Sequence, residues 1–228
     1  MIEMVSLVLA VLAMVVALWH LIEIRTVARS LSTRYIGQLP DYFPEIVALL
    51  KRARHDIVIF CDFPAYGSFT EHDSWFDYRQ ILERKIQEGR RVVLTCLDED
   101  CRNKYVKQQL FKEGQGWDEW KQSSGINKQL QHYLKKHPEA PNIDELKEGD
   151  LLKLFADEER QMLQELSGAE IQQISTYMPL YFWLVDGSSA IFVVPSYSER
   201  AIDYGFFTTD QKLILAFEGM RDRYHLQK

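Results

Sequence analysis

The stretch YMPLYFWLVDGSSAIFVVP, residues 177–195, limits the fold more than any other part of the chain. Two apolar runs meet at Asp186-Gly187. An Asp-Gly pair tolerates the positive φ angles that a tight turn between twisted antiparallel strands requires, so the stretch predicts a β-hairpin. It also raises the question of what the Asp186 carboxylate does at the turn.

A second signal lies upstream. DIVIFCDF, residues 56–63, and RRVVLTCLDED, residues 90–100, are buried-type strands rich in β-branched residues. Between them SWFDYRQILERKIQEG, residues 74–89, reads as a helix that Ser74 can cap and Gly89 can end. Strand, helix and strand in this order predict a parallel pair with a right-handed crossover. Before it, LPDYFPEIVALLKRARH predicts a helix with Asp41 as cap and Ile46, Leu49 and Leu50 inward. Lys51, Arg52 and Arg54 at its end suit the helix dipole.

From Cys101 to about Gly168 the pattern is polar and helical, broken at Gly114, Gly116, Gly125 and Pro138. Leu151, Leu152, Phe155, Met162, Leu163 and Leu166 recur at helical spacing, so a helical insertion packed on the core is expected. AEIQQIST and AIDYGFFTTD read as further strands. The chain closes on a helix with Leu213, Ile214, Phe217 and Met220 inward. The fold class is α/β, in the α+β form with a mixed sheet.

MVSLVLAVLAMVVALWHL, residues 4–21, carries no charge, and Arg25, Arg29 and Arg34 follow it. A helix of that length extended by one residue reaches about 28 Å, close to the hydrocarbon thickness of a bilayer. The basic flank places the C-terminal side in the cytoplasm. Residues 1–24 are therefore expected to be a single-pass anchor, residues 25–40 a helical stalk, and residues 41–228 a cytoplasmic domain. Three cysteines, Cys61, Cys96 and Cys101, make neither a disulfide framework nor a zinc motif, which fits a reducing compartment. The net charge of -6 argues against broad nucleic-acid binding. No cofactor motif or metal motif is present.

The order of elements and the last third of the chain resemble one half-domain of the phospholipase D superfamily. In that family a strand carries His-x-Lys, Asp follows after four residues in an Asp-Gly turn, and the next strand ends in Gly-Ser-x-Asn. Asp186-Gly187 matches the turn, Ala190 to Val194 the next strand, and Thr209-Asp210 the start of the last helix. The reactive positions differ. Pro179 stands at the His and Tyr181 at the Lys, while Val193, Val194, Pro195 and Ser196 stand at Gly-Ser-x-Asn. The family chemistry needs the imidazole as nucleophile and the lysine against phosphoryl charge. The resemblance therefore implies a catalytically dead domain that binds, senses or scaffolds. Because active members build one site from two halves, it also implies a homo-oligomer. On this reading Asp186 is a turn residue accepting backbone N–H groups.

The competing expectation is a hydrolase, phosphodiesterase or nucleotide-directed, with a different site. Its candidates are Asp62, Glu71 and His72 in the loop after the first buried strand, together with Asp186. Loops at the carboxyl ends of strands host ligands in open α/β sheets. The β-α-β opening is also similar to TIR or flavodoxin-type domains, which would favour a nucleotide ligand; a protein ligand stays open as well.

Overall fold

Strand β2 (Asp56–Phe60) is buried at four of its five residues, and an almost wholly apolar strand requires neighbours on both sides. It has them. It pairs in parallel with β3 (Arg91–Leu97) and antiparallel with β5 (Tyr181–Val185). Beyond β3 lies β4 (Glu170–Ile174), parallel to it; beyond β5 lie β6 (Ser189–Pro195) and β7 (Asp203–Thr208), each antiparallel to its neighbour. With β1 (Thr33–Gln38) at the far edge, the seven-stranded mixed sheet has the order β1-β7-β6-β5-β2-β3-β4. This is a computed structural model, and it describes residues 32–68, 72–110, 117–122, 142–195 and 203–225, with a few isolated positions besides. The segment from Tyr35 to Lys228 forms a compact unit of its own.

Alternation along the central strands sends side chains into two layers. On one face Trp183 gives its indole N–H to Tyr78 Oη at 3.1 Å, and Tyr78 lies 5.5 Å, centroid to centroid, from Phe43. Those partners come from α1 (Phe43–Lys51) and α2 (His72–Gln87). On the other face Phe182 stacks between Phe60 and Phe217 of α6 (Gln211–His225), at 5.1 and 5.0 Å. The stretch between β3 and β4 contributes α3 (Glu99–Leu110), α4 (Trp117–Gln122) and α5 (Glu148–Glu165), as a helical insertion should. Wholly buried Arg102 of α3 is ion-paired with buried Glu159 of α5, tying the two helices together.

Three expectations need correction. Residues 33–38 are not part of a helical stalk but form the edge strand β1. Its Thr, Tyr and Ile favour a pleated strand, and Tyr35 packs edge-on against Phe206 of β7 at 5.6 Å. Asp41 does not cap α1: Tyr42 holds that position, no side chain caps the end, and Pro44 sits in the first turn. Proline there has no N–H to be satisfied, which lessens the need for a cap. Helix α2 begins at His72, before Ser74. The flavodoxin-type comparison gains a parallel strand in β4, but β5, β6 and β7 are antiparallel. The anchor expected over residues 1–24 lies outside the described residues. Among the described residues, no helix is long and apolar enough to cross a membrane.

Candidate functional site

Strand polarity decides what can meet. β2, β3 and β4 finish at the end of the sheet where β5 and β7 begin. Asp62 lies two residues past the end of β2, Tyr181 opens β5 and Asp203 opens β7, so all three come to one corner. Two glycines complete it. Tyr181, Val193 and Gly205 lie side by side in register on β5, β6 and β7. A Cβ at Gly205 would stand 2.7 Å from the Tyr42 ring, so only glycine lets Tyr42 lie across that row. In the loop after Asp62, Gly67 has φ +92° and abuts the Phe43 ring, where a Cβ would meet it at 2.6 Å.

The result is a cluster of buried tyrosines and partly buried carboxylates. Tyr66 Oη donates to Asp203 Oδ2 at 2.7 Å, and the Tyr66 and Tyr42 hydroxyls are hydrogen-bonded to each other. The Tyr66 and Tyr181 rings meet edge-on at 6.0 Å. Tyr42, Tyr66 and Tyr181 are all buried. The Asp62 carboxylate takes a hydrogen bond from the Tyr181 side chain and others from the backbone N–H groups of Phe63 and of Asp62 itself. Asp62 as a whole residue keeps some exposure, yet its Oδ1 is buried and has no hydrogen-bond partner.

Burial pushes the Asp62 carboxyl up to about 7, and the nearby Asp203 charge adds to the effect; the bonds from Tyr181 and Phe63 oppose it. Burial likewise raises Asp203, against the hydrogen bond from Tyr66. Burial also lifts the Tyr42 and Tyr66 hydroxyls well above their usual value, so both stay neutral donors. Beside the cluster, burial raises the Cys61 thiol and pushes Cys96 up to about 12, which makes both unreactive. The groups that act on Asp62 and Asp203 are a second carboxylate, hydroxyls and N–H groups, with no cation among them. Among the described residues, no three His, Cys, Asp or Glu side chains gather as a metal site would need.

Of the hydrolase candidates, Asp62 belongs to this corner and Asp186 does not. Asp186 sits at the other end of the sheet, where its backbone N–H reaches Asp56 O at 3.0 Å. Asp56 and Asp62 are six residues apart along extended chain, about 20 Å. The Asp186 carboxylate takes N–H bonds from Arg54, His55 and Asp56 at 2.9, 2.8 and 3.0 Å. Those three bonds lower its pKa against the opposing effect of burial. The proposed four-residue constellation is therefore corrected: a turn residue committed to three backbone donors cannot also serve a site one strand-length away. Glu71 lies outside the described residues, and His72 is described only as the first residue of α2. Pro179 is not in the corner. It lines an open groove of about 620 Å³ with Thr176, Leu215 and Met220. Tyr42 and Asp203 carried no signal in the sequence, because their meeting depends on sheet order.

No family model matches the chain, and no curated protein matches its sequence. Solved structures similar to it include phospholipase D family members. Nuc from Salmonella typhimurium aligns with a TM-score of 0.42 at 10% identity, over 86% of this chain and 95% of that one. NucT from Helicobacter pylori aligns with 0.42 at 12%, over 84% and 94%. TrmBL2, an archaeal chromatin protein with a novel mode of DNA binding, aligns with 0.46 at 11%, over 94% of this chain; the chain spans 61% of TrmBL2's length.

Proposed function

We propose that the chain is a membrane-anchored, phospholipase D-like module with a cytoplasmic domain that does not catalyse phosphoryl transfer and acts by binding, as a homo-oligomer. The observation that carries this reading is Tyr181. The resemblance assigns this position to the lysine that faces a phosphoryl group. Here it holds a buried tyrosine hydrogen-bonded to Asp62, with Asp203 alongside. A phosphate in this corner would meet carboxylates in a partly buried setting, where like charges repel more strongly than in open solvent. The nucleophile is missing as well: Pro179 replaces it, and no histidine occurs between His137 and His225.

The anchor rests on the uncharged run at residues 4–21. Tethered copies would meet in two dimensions, which raises their effective concentration and favours self-association. The test is an assay of the full chain, recovered from the membrane fraction in detergent, against generic phosphodiester and phospholipid substrates. No turnover above buffer is expected. Turnover that the Tyr181→Phe and Asp62→Asn variants abolish would overturn the non-catalytic reading. Recovery of the full chain without detergent would overturn the anchor.

A further inference from the structure

We propose that Asp62 is the proton-sensing group of a latch at the carboxyl end of the sheet: protonated, it holds the 63–68 loop against the starts of β7 and α1, and ionised, it releases that loop. This does not depend on what the domain binds. It rests on the unpartnered, buried Oδ1 and on the way the loop is fastened. Tyr66 makes two side-chain hydrogen bonds that fasten the loop, one to Asp203 of β7 and one to Tyr42 at the start of α1. Gly67 is seated on the Phe43 ring. Asp203 and Tyr42, which hold Tyr66, are also groups whose electrostatics are coupled to the Asp62 carboxyl.

The groups that face Asp62 compensate its charge only in part: N–H bonds from Phe63 and from its own backbone favour the ionised form, but burial outweighs them. Asp203 of β7 is a like charge. Tyr181 of β5 donates one hydrogen bond. Tyr42 at the start of α1, Cys61 just after β2 and Cys96 on β3 are neutral groups whose own ionisation its charge opposes. A proton on Asp62 removes the repulsion. Without the proton, the least costly relief is for the loop to lift and let water reach the carboxylate, which breaks the Tyr66 ties.

The direction with pH follows by linkage. The closed form holds the Asp62 proton up to about pH 7, whereas an opened loop would let the carboxyl titrate in the ordinary range near 4. Opening therefore becomes easier by up to about tenfold per pH unit between those limits and levels off above them. Closing is a low-pH property here, and the latch loosens towards neutrality.

Amide hydrogen exchange of the full chain in detergent reads this directly. The Tyr66 and Ser68 amides are held by bonds to the Phe63 and Ala65 carbonyls, at 3.1 and 3.0 Å. Their protection, corrected for the intrinsic pH dependence of exchange, should fall between ten- and about a hundredfold from pH 5 to pH 7. Central-strand amides such as Leu94 should not follow. Asp62→Asn should keep the loop protected at both pH values. Asp203→Asn should narrow the fall, and it decides the matter alone if Asp62→Asn does not fold. Loop protection that is independent of pH, the same fall in Asp62→Asn, or an equal fall at Leu94 would each overturn the latch. So would magnesium alone restoring protection at pH 7.5, which would mark a metal site instead.

Discussion

Replacing Asp186 isolates two contributions that the turn combines. The residue has φ 51°, a left-handed conformation that costs an ordinary L-residue about 1–2 kcal/mol and Asp or Asn less. Its carboxylate also holds three N–H groups, two of the α1–β2 connection and that of Asp56 opening β2. Bonds to a charged acceptor contribute about 1.5–3 kcal/mol when buried. Arg54 and His55 are exposed, so water replaces part of what is lost, and the three together should contribute about 1–2 kcal/mol. Asp186→Gly removes only the bonds and should cost that amount. Asp186→Ala adds the strain, for about 2–4 kcal/mol, or roughly 5–15 °C in Tm for a domain of this size. Asp186→Asn should cost least. Circular dichroism melts of the four proteins at pH 7, in the same detergent, give the series. The pH dependence supplies a second check. The folded pKa is lowered, so the contribution is present above the unfolded carboxylate value and is lost as pH falls through the folded one. The gap between wild type and Asp186→Gly should close in acid. Equal Tm values for Gly and Ala, or a gap that survives acidification, would refute the reasoning.

Arg102→Ala should destabilise by about 3–5 kcal/mol, because it leaves Glu159 charged and buried; Arg102→Met with Glu159→Leu should recover most of that in urea unfolding. Gly205→Ala should cost about 1–3 kcal/mol through the clash with the Tyr42 ring, and Tyr42→Leu in the same chain should relieve it, as Tm values will show.

The hairpin and the β-α-β unit were legible because their signals are local. Asp186-Gly187 encodes its turn in two residues, and the apolar runs of β2 and β3 tolerate only buried positions. Strand β1 was not legible: TRYIGQ is short and follows a helical charge pattern, and its pairing with β7 is decided by tertiary contact. The corner at Asp62 was half legible. A loop after a buried strand pointed to Asp62, but Asp203 entered only once β6 and β5 were known to lie between β7 and β2. Asp186 read correctly as a turn residue and wrongly as a neighbour of Asp62, since the sequence does not say at which end of β2 the hairpin turns.

The central place of β2 has a cost during synthesis. Its partner β3 follows shortly, but β5, which covers its other edge, ends 125 residues after Phe60, at Val185. At 5–20 residues per second, that edge stays open for roughly 6–25 s on the ribosome. It offers Ile57, Val58, Ile59 and Phe60 in a row without a charge or a proline, the kind of edge that pairs with other chains. Premature termination within the helical insertion should therefore yield aggregating fragments, and a nascent chain of this design depends on chaperones or on keeping its neighbours apart until the hairpin arrives.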